Sequence, residues 1–549
     1  MIADNLQTIT IGRVSDDIGK IRLDRQDTTY EAVAGATAEF GGWTADGYVQ
    51  YGRNNYDLAF GPNNRKQNEF FQAADAVVDP ATGNVVCRST LTNPRNGCIP
   101  VDVFGNGSLT PNSFVNGTAR FRLVTRQSIA AADIKGTPFS TWGGPVAFAA
   151  GAEYRRDSAD GTSDTISQRV NPNGSIGGWI LGNQLPEHGV IKVFETYAEA
   201  QAPLAKTLSL NAAARRTHYS LSGTVYTWKL GGIWDVIPGV RLRATRSRDI
   251  RAPNIAELFE NGGSSNTNVF DPVLGQSVQI REIEAGNPNL KPEKADTLTA
   301  GAVVRPRFIP GFSASVDYYD IKINDEIATL GAPILAQGCF AGNQLFCQSI
   351  NFNPDGTIAF ITNTRLNLAQ AKTRGIDFEA DYSRSRFLRG SLTAQVLATR
   401  VLELQSATPG GTLDRLGQVS NFNRTGGVPK WAGDAFVDYT RGPLRLGLQA
   451  RYVGAGVFST LLHEGAGEKN SINGNHVPPF VYLTATAALR VHTTGTRSAE
   501  LFAVVNNLTD VDPPMIPSGA AGGINESSTN GQFYDVVGRF FRAGIRFTL

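Results

Sequence analysis

The last ten residues, Phe540 to Leu549, read FFRAGIRFTL, and from Phe541 every second residue is apolar: Phe541, Ala543, Ile545, Phe547 and Leu549. Arg542, Gly544, Arg546 and Thr548 fill the positions between. Successive side chains of a strand point to opposite faces, so this segment has one greasy face and one polar, basic face. In a soluble sandwich, a greasy strand left at a sheet edge invites aggregation. A closed membrane barrel removes the edge by pairing the last strand with the first, and that pairing is the expectation here.

The same two-faced pattern recurs along the chain. A strand pair is predicted at Thr28 to Phe40 and Trp43 to Arg53 around Gly41-Gly42, after a short β-prone stretch at Thr8 to Ile11. Ala119 to Ala131 and Pro145 to Arg156 follow. Lys192 to Ala202 sets Glu195, Tyr197, Glu199 and Gln201 against Phe194, Thr196, Ala198 and Ala200. Leu208 to Arg215, Tyr226 to Trp234, Val240 to Ser247, Asp296 to Arg305 and Phe312 to Lys322 continue the series. Ile358 to Ser383 reads as one long strand, with Ile376, Phe378, Ala380 and Tyr382 opposed to Asp377, Glu379, Asp381 and Ser383. Ser391 to Leu404, Asp434 to Thr440, Leu444 to Tyr452, Phe480 to Val491 and Ala499 to Asn507 lead to the terminal strand.

Two regularities select the class. The apolar rows are thin, rich in Ala and Leu, and largely free of charge, which suits lipid: a charge facing lipid at the bilayer midplane costs about 2–4 kcal/mol. The connections alternate short and long. Gly41-Gly42, Pro203 to Lys206, Asp235 to Gly239, Pro306 to Gly311, Arg441-Gly442-Pro443 and Val491 to Thr496 fall at one end, and the long links at the other. A sandwich has no reason to sort loop lengths by end, whereas outer-membrane barrels have short periplasmic turns and long outer loops. The fold class expected is all-β, a transmembrane antiparallel β-barrel with about 17–18 strands.

Mean hydropathy is −0.18, and no apolar run approaches the roughly 18 residues of a spanning helix, as expected when strands cross by alternation. The net charge of +2 gives no electrostatic footprint for nucleic acid. The four cysteines form two close pairs in Gly/Asn/Pro-rich segments, Cys87 with Cys98 and Cys339 with Cys347. Local loop disulfides and an oxidising compartment are the expectation. The opening MIADNLQTIT carries neither a basic nor an apolar leader region.

Four stretches then resemble the TonB-dependent receptors of the Gram-negative outer membrane. They are TRSRDIRAPNIAELF (Thr245 to Phe259), GNPNLKPEKADTLTAG (Gly286 to Gly301) leading into SASVDYYDIKINDEI (Ser313 to Ile327), AKTRGIDFEADYS (Ala371 to Ser383), and LFAVVNNLTDVDPP (Leu501 to Pro514). Their order and spacing match the second half of that family's barrel. The resemblance implies a 22-stranded barrel with an N-terminal plug and a TonB box, and energised uptake of a large scarce nutrient such as a siderophore, vitamin or oligosaccharide. No plug, box or leader is recognised in this sequence, so it reads as a C-terminal portion: residues 1–27 the start, with one barrel strand, and 28–549 the receptor-like barrel. A passive pore or inert remnant, and an extracellular binding or carbohydrate-active protein, are the competing classes.

The candidate capture surface is the set of long links: Asn54 to Asn116, Ser158 to Gly189, Arg248 to Ala295, Asp325 to Gly356, Gln405 to Pro429, Gly454 to Val477 and Thr509 to Gln532. Loops on a rigid scaffold commonly carry recognition. His188, His218, His463, His476 and His492 show no paired-ligand spacing and read as loop or lumen residues. No catalytic residue, cofactor or metal ligand is expected, and no enzyme. Asp377, Glu379 and Asp381 read as lumen ion-pair partners of arginines such as Arg445 and Arg451. The basic cluster Arg246, Arg248 and Arg251, at the outer end of its strand, suits lipopolysaccharide phosphates or an anionic ligand. The expected surroundings are outer-membrane lipid, an unidentified nutrient and, for the full-length receptor, the TonB complex, with the chain a monomer.

Overall fold

A computed structural model describes residues 16–105, 107–409, 411–420, 426–465, 467, 470–494, 497–516 and 528–548. Its main sheet counts eighteen strands. One of these, Gly411–Asp414, only folds back on the end of its predecessor, which leaves seventeen that build the wall. In chain order they are β1 (Arg22–Phe40), β2 (Trp43–Arg65), β3 (Asn116–Gly136), β4 (Ala147–Ser163), β5 (His188–Ala205), β6 (Leu208–Tyr219), β7 (Gly223–Ile237), β8 (Val240–Arg251) and β9 (Glu293–Val304). The rest are β10 (Phe312–Ala328), β11 (Leu366–Phe387), β12 (Gly390–Thr408), β13 (Trp431–Arg441), β14 (Leu444–Val453), β15 (Phe480–Thr494), β16 (Arg497–Asn506) and β17 (Phe540–Thr548). Each pairs antiparallel with the next.

The register brings the apolar rows together across the wall. Ala435, Ala450 and Leu483 lie side by side on β13, β14 and β15, as do Val437, Leu448 and Ala485. The facing row on β8 to β10 joins Leu242, Ala302 and Val316. Aromatics bracket this band, all exposed except half-buried Trp43. Phe40, Trp43 and Trp234 sit on it near the short turns, and Tyr51, Tyr154, Phe194 and Trp228 towards the long loops. Trp43 and Tyr51 are eight residues apart, about 27 Å along a strand, which fits an apolar belt about 25 Å tall between two aromatic girdles.

Several expectations need correction. The terminal strand does not meet the first: among the described residues β1 pairs only with β2, and β17 only with β16. Sixteen antiparallel steps also leave β1 and β17 running in the same direction, so the two cannot form an antiparallel pair. The expected strand Thr8 to Ile11 and the final Leu549 lie outside the described residues. Ile358 to Ser383 is two strands: Ile358–Thr364 leaves the wall for a separate outer sheet, and β11 starts at Leu366. The link from β6 to β7 is a tight hairpin at Ser220–Ser222, an exception to the alternation of short and long. The strands also run further out than expected. β2 has 23 residues, about 75 Å of extended chain, against roughly 30 Å of hydrocarbon. Asn54 to Arg65 is therefore strand standing clear of the bilayer, where water removes the need for an apolar row.

Candidate functional site

The row opposite the lipid band is polar and ionic. Arg243 on β8 reaches across β9 to Asp317 on β10, Nε to Oδ1 2.7 Å. The residue it passes over is Gly301, where a Cβ would stand 1.9 Å from Asp317 Oδ1. Tyr197 on β5 donates to Asp133 on β3 over Gly151 in the same manner. Bridges that skip a strand need a strand with no side chain beneath them. Gly301→Ala should therefore displace Asp317 and cost about 1 kcal/mol in a urea titration. Its loss and that of Asp317→Ala should fail to add, because both remove one interaction.

The expected lumen carboxylates do lie on this row, with different partners. Asp377 accepts from Thr399 Oγ1 at 2.7 Å and Glu379 from Gln395 at 3.4 Å, both from the adjacent β12. Arg445 pairs with Asp438, 3.0 Å, and Arg451 donates to the Phe533 carbonyl and lies over the Tyr482 ring. Short polar side chains on the neighbouring strand are closer than arginines several strands away. Hydrogen bonds from the adjacent strand, not long ionic bridges, hold Asp377 and Glu379.

The long loops after β2, β4, β8 and β10 are joined above this row into a crown. Arg281, 8% exposed, donates to the carbonyls of Ile176 and Gly177 at 3.1 Å and to Gln67 Oε1 at 2.7 Å. It thereby ties the loop after β8 to the loops after β2 and β4. Arg169 grips Glu69 with two bonds of 2.8 and 2.7 Å. The hairpin Gly263–Asp271/Gln276–Ala285 pairs in parallel with Ile358–Thr364, fusing the loops after β8 and β10. Helix α1 (Ala332–Phe340) and helix α2 (Gln344–Cys347) pack on this sheet. Their core contains Val269, Ile280, Leu335, Phe346, Ile358 and Ile361. Disulfides join Cys339 to Cys347 beside it and Cys87 to Cys98 in the loop after β2. Arg281 and Glu69 were not singled out in the sequence: Gln67 is 214 residues from Arg281 and Arg169 is 100 from Glu69, and such separations leave no local pattern.

Two of the four motifs meet at the base of this crown. Arg251 at the end of β8 stands opposite Glu293 at the start of β9 and bonds it, Nε to Oε2 2.8 Å, while Nη1 reaches Glu257 at 3.0 Å. Asn254 and Glu257 cap the short helix Ile255–Phe259 reciprocally. Leu258 and Leu290, from the two motifs, are buried together with Val193 and Tyr219. The expected basic cluster is thus divided. Arg251 is drawn inward into this ionic knot, whereas Arg246 and Arg248 share the outward row with Leu298 and Asp296. Arg248 pairs with Asp296 at 2.9 Å.

The histidines do not converge. His188 pairs with Asp160 and His218 with Thr224; His218 lies on the outward row opposite Phe194, not in the lumen. His463 and His476 belong to short outer strands, and the His492 side chain is outside the described residues. Among the described residues, no three of His, Cys, Asp and Glu form a metal-sized group.

One crown carboxyl is out of balance. Glu187, 8% exposed, is pushed up to about 7 by burial first and by neighbouring Glu260 second, against the opposing pull of His188. Folded Glu187 holds its proton more tightly than the unfolded chain, where the ordinary value is 4.5. Stability from this residue is therefore complete below that value and lost as pH rises through 7. Glu187→Gln should stabilise the crown by about 2 kcal/mol at pH 8 and by almost nothing at pH 4, read by pH-dependent protease protection.

Ladder pattern, girdles and sorted loops together mark a membrane-spanning antiparallel β-barrel wall of the outer-membrane kind, although its seventeen described strands include no pair between first and last. The family model described as "TonB dependent receptor-like, beta-barrel" matches residues 4–508. The chain belongs to this family of TonB-dependent receptor barrels. No curated protein matches it. Among solved structures it resembles the ferric enterobactin receptor PfeA in complex with BCV-L6, at TM-score 0.58 and 15% identity, covering 95% of this chain and 63% of that one. It also resembles the siderophore receptor PirA from Acinetobacter baumannii, at TM-score 0.58 and 15% identity, covering 94% and 62%. At such identity the likeness is one of fold, and the chain spans less than two thirds of either receptor.

Proposed function

We propose that this chain is the barrel of an outer-membrane receptor of a Gram-negative bacterium that imports a scarce nutrient too large for a diffusive pore. A siderophore, a vitamin and an oligosaccharide are the classes considered, and the TonB complex supplies the energy. The role is binding and transport, not catalysis. The observation that carries the reading is the continuity of one polar, ion-paired row from the short turns up to a crown that ties together the loops after β2, β4, β8 and β10, while the opposite row is apolar across the lipid band. Such a wall separates lipid from a wet interior and presents a shaped polar mouth to the outside. Recognition falls to the crown, because loops held by Arg281 and Arg251 present their side chains in fixed positions.

The test is genetic. Deleting the gene that encodes this chain should abolish growth on one limiting nutrient from a panel of ferric siderophores, cobalamin and oligosaccharides, and loss of TonB should reproduce that defect. Unchanged growth on the whole panel, together with a large steady conductance of the purified chain in planar bilayers, would replace this reading with a passive pore.

A further inference from the structure

The short-turn end of the wall is not evenly charged. From β9 to β14, three successive turns and their strand ends carry Arg305 and Arg307 (β9 to β10), Arg384, Arg386 and Arg389 (β11 to β12) and Arg441 (β13 to β14). All six are exposed. None makes a side-chain hydrogen bond or ion pair among the described residues. Carboxylates towards this end are engaged or face inward. Asp438 pairs with Arg445 at 3.0 Å and Glu500 with Arg546 at 3.3 Å, while Asp381 lies on the lumen row. The turns of the first half differ. Gly41-Gly42 is uncharged, and Arg241 beside the β7 to β8 turn is held by Asp235 at 2.7 Å.

The middle turn is also strained. β11 ends at Phe387 and β12 begins at Gly390, so two residues make the link, Leu388 with φ 47° and Arg389 with φ 66°. A two-residue hairpin with positive φ at both central positions is normally built from Asn-Gly, because a larger side chain is crowded there. Leucine and arginine gain nothing from packing in return: Leu388 is 73% exposed, and Arg389 is exposed too. The tip is nonetheless fixed. Tyr439 Oη donates to the Leu388 carbonyl at 2.8 Å, and the Phe387 ring packs edge-on against Tyr439. Strain kept at an ordered, water-facing tip is the mark of side chains held for a contact. On the neighbouring turn Phe308, 84% exposed, displays an apolar ring beside Arg307.

We propose that this arc of the short-turn end docks peptidoglycan, the anionic polymer of the periplasm. The proposal rests on the membrane-barrel reading above, which puts short turns on the periplasmic side, and adds a partner there. Depth excludes the bilayer as the occupant. Tyr382 marks the lower girdle on β11, opposite Phe312 of β10. Arg386 lies four residues further on, about 13 Å of strand and about 10 Å of depth at a tilt of about 40°. Headgroups fill only about 5–8 Å on either side of the hydrocarbon. Arg386 and Arg389 therefore stand past the lipid, in water. Spacing selects a polymer over a compact acidic protein. Successive turns lie two strands apart, about 10 Å across the wall, so the cations repeat along a line. Peptidoglycan likewise repeats its carboxylate-bearing stem peptides along a chain. Guanidinium forks take carboxylates with two bonds, and the methyl groups of alanines and N-acetyl sugars suit Leu388 and Phe308.

The test is co-sedimentation of the folded chain, in detergent micelles, with purified sacculi and with sacculi whose carboxyls have been amidated. The wild type should sediment with the native sacculi and stay in solution with the amidated ones. Arg384→Gln with Arg386→Gln and Arg389→Gln should weaken sedimentation about 10-fold, at about a factor of two for each exposed charge contact. Leu388→Asn with Arg389→Gly installs the residues this turn prefers, so it folds at least as well, yet should bind about 4-fold less. Arg126→Gln with Arg156→Gln and Lys192→Gln removes the same charge from the outer parts of β3 to β5 and should change nothing. Heat-modifiable migration on gels confirms that each variant is folded. Equal sedimentation with native and amidated sacculi, unaltered sedimentation of both tip variants, or an equal loss in the β3 to β5 variant overturns the proposal and leaves the barrel reading intact. No sedimentation of the wild type overturns it too, and leaves an acidic protein as the occupant. Full displacement from native sacculi by phosphatidylglycerol in mixed micelles also overturns it, since the arc would then be a headgroup site. Failure of the wild type to enter any bilayer or micelle overturns the barrel reading and this site with it.

Discussion

Leu448→Arg should destabilise the folded barrel by about 2–4 kcal/mol, whereas Gln449→Arg, one residue along, should shift stability by less than about 1 kcal/mol. Leu448 is 45% exposed and lies in the middle of the outward row of β14, between Val437 and Ala485. An arginine there faces the hydrocarbon midplane, too far from either girdle to reach headgroups without deforming the bilayer. Gln449 points the other way and donates to Asp434 Oδ1 at 3.1 Å. A cation in its place meets a carboxylate and water. Reversible urea titration in lipid vesicles, followed by tryptophan fluorescence, measures both. Equal costs, or a larger cost at Gln449, would show that the two faces have been assigned the wrong way round.

Phe346→Ala should cost about 3–5 kcal/mol, confined to the crown. Phe346 is 3% exposed and fills the core between α1, α2 and the outer sheet. Its ring occupies the space beside Gly338, where even a Cβ would sit 2.1 Å from it. Removing the ring leaves a void between two short helices that a single disulfide cannot close. Limited proteolysis should then cut within 329–365 at much lower protease concentration, while the heat-modifiable migration of the barrel is unchanged. Global loss of the barrel would mean that crown and wall form one cooperative unit.

The wall was legible because the bilayer imposes a rule on each strand separately. β14 shows it plainly: Leu444, Leu446, Leu448, Ala450 and Tyr452 alternate with Arg445, Gly447, Gln449 and Arg451, and no knowledge of the neighbours is required. The rule ends where the hydrocarbon ends. Asn54 to Arg65 continues β2 by hydrogen bonds to β1 and β3 alone, so its composition looked like a loop. The outer sheet was hidden for another reason. Ile358–Thr364 is as β-prone as β11, and partners outside the wall, among them a parallel one 79 residues earlier with Arg281 opposite Phe360, remove it from the wall. Arg251 and Glu293 lie within two of the stretches that resemble the family, yet their joint knot with Glu257 needed the register of β8 against β9. Lumen pairings were illegible for the same reason: the partner of a carboxylate depends on which short polar side chain the adjacent strand places opposite it.

The ladder order also dictates how such a chain is assembled. Each rung of the wall joins strands consecutive in sequence, so strands can be added one after another, and the entropy cost of closing even the long outer links grows only slowly with their length. The clasp from Arg281 to Gln67 spans 214 residues and has no meaning until the strands from β2 to β9 hold both loops at the same mouth. The crown is consequently completed after this part of the wall, and a defect that stalls assembly before β9 leaves the loop after β2 without the Arg281 clasp.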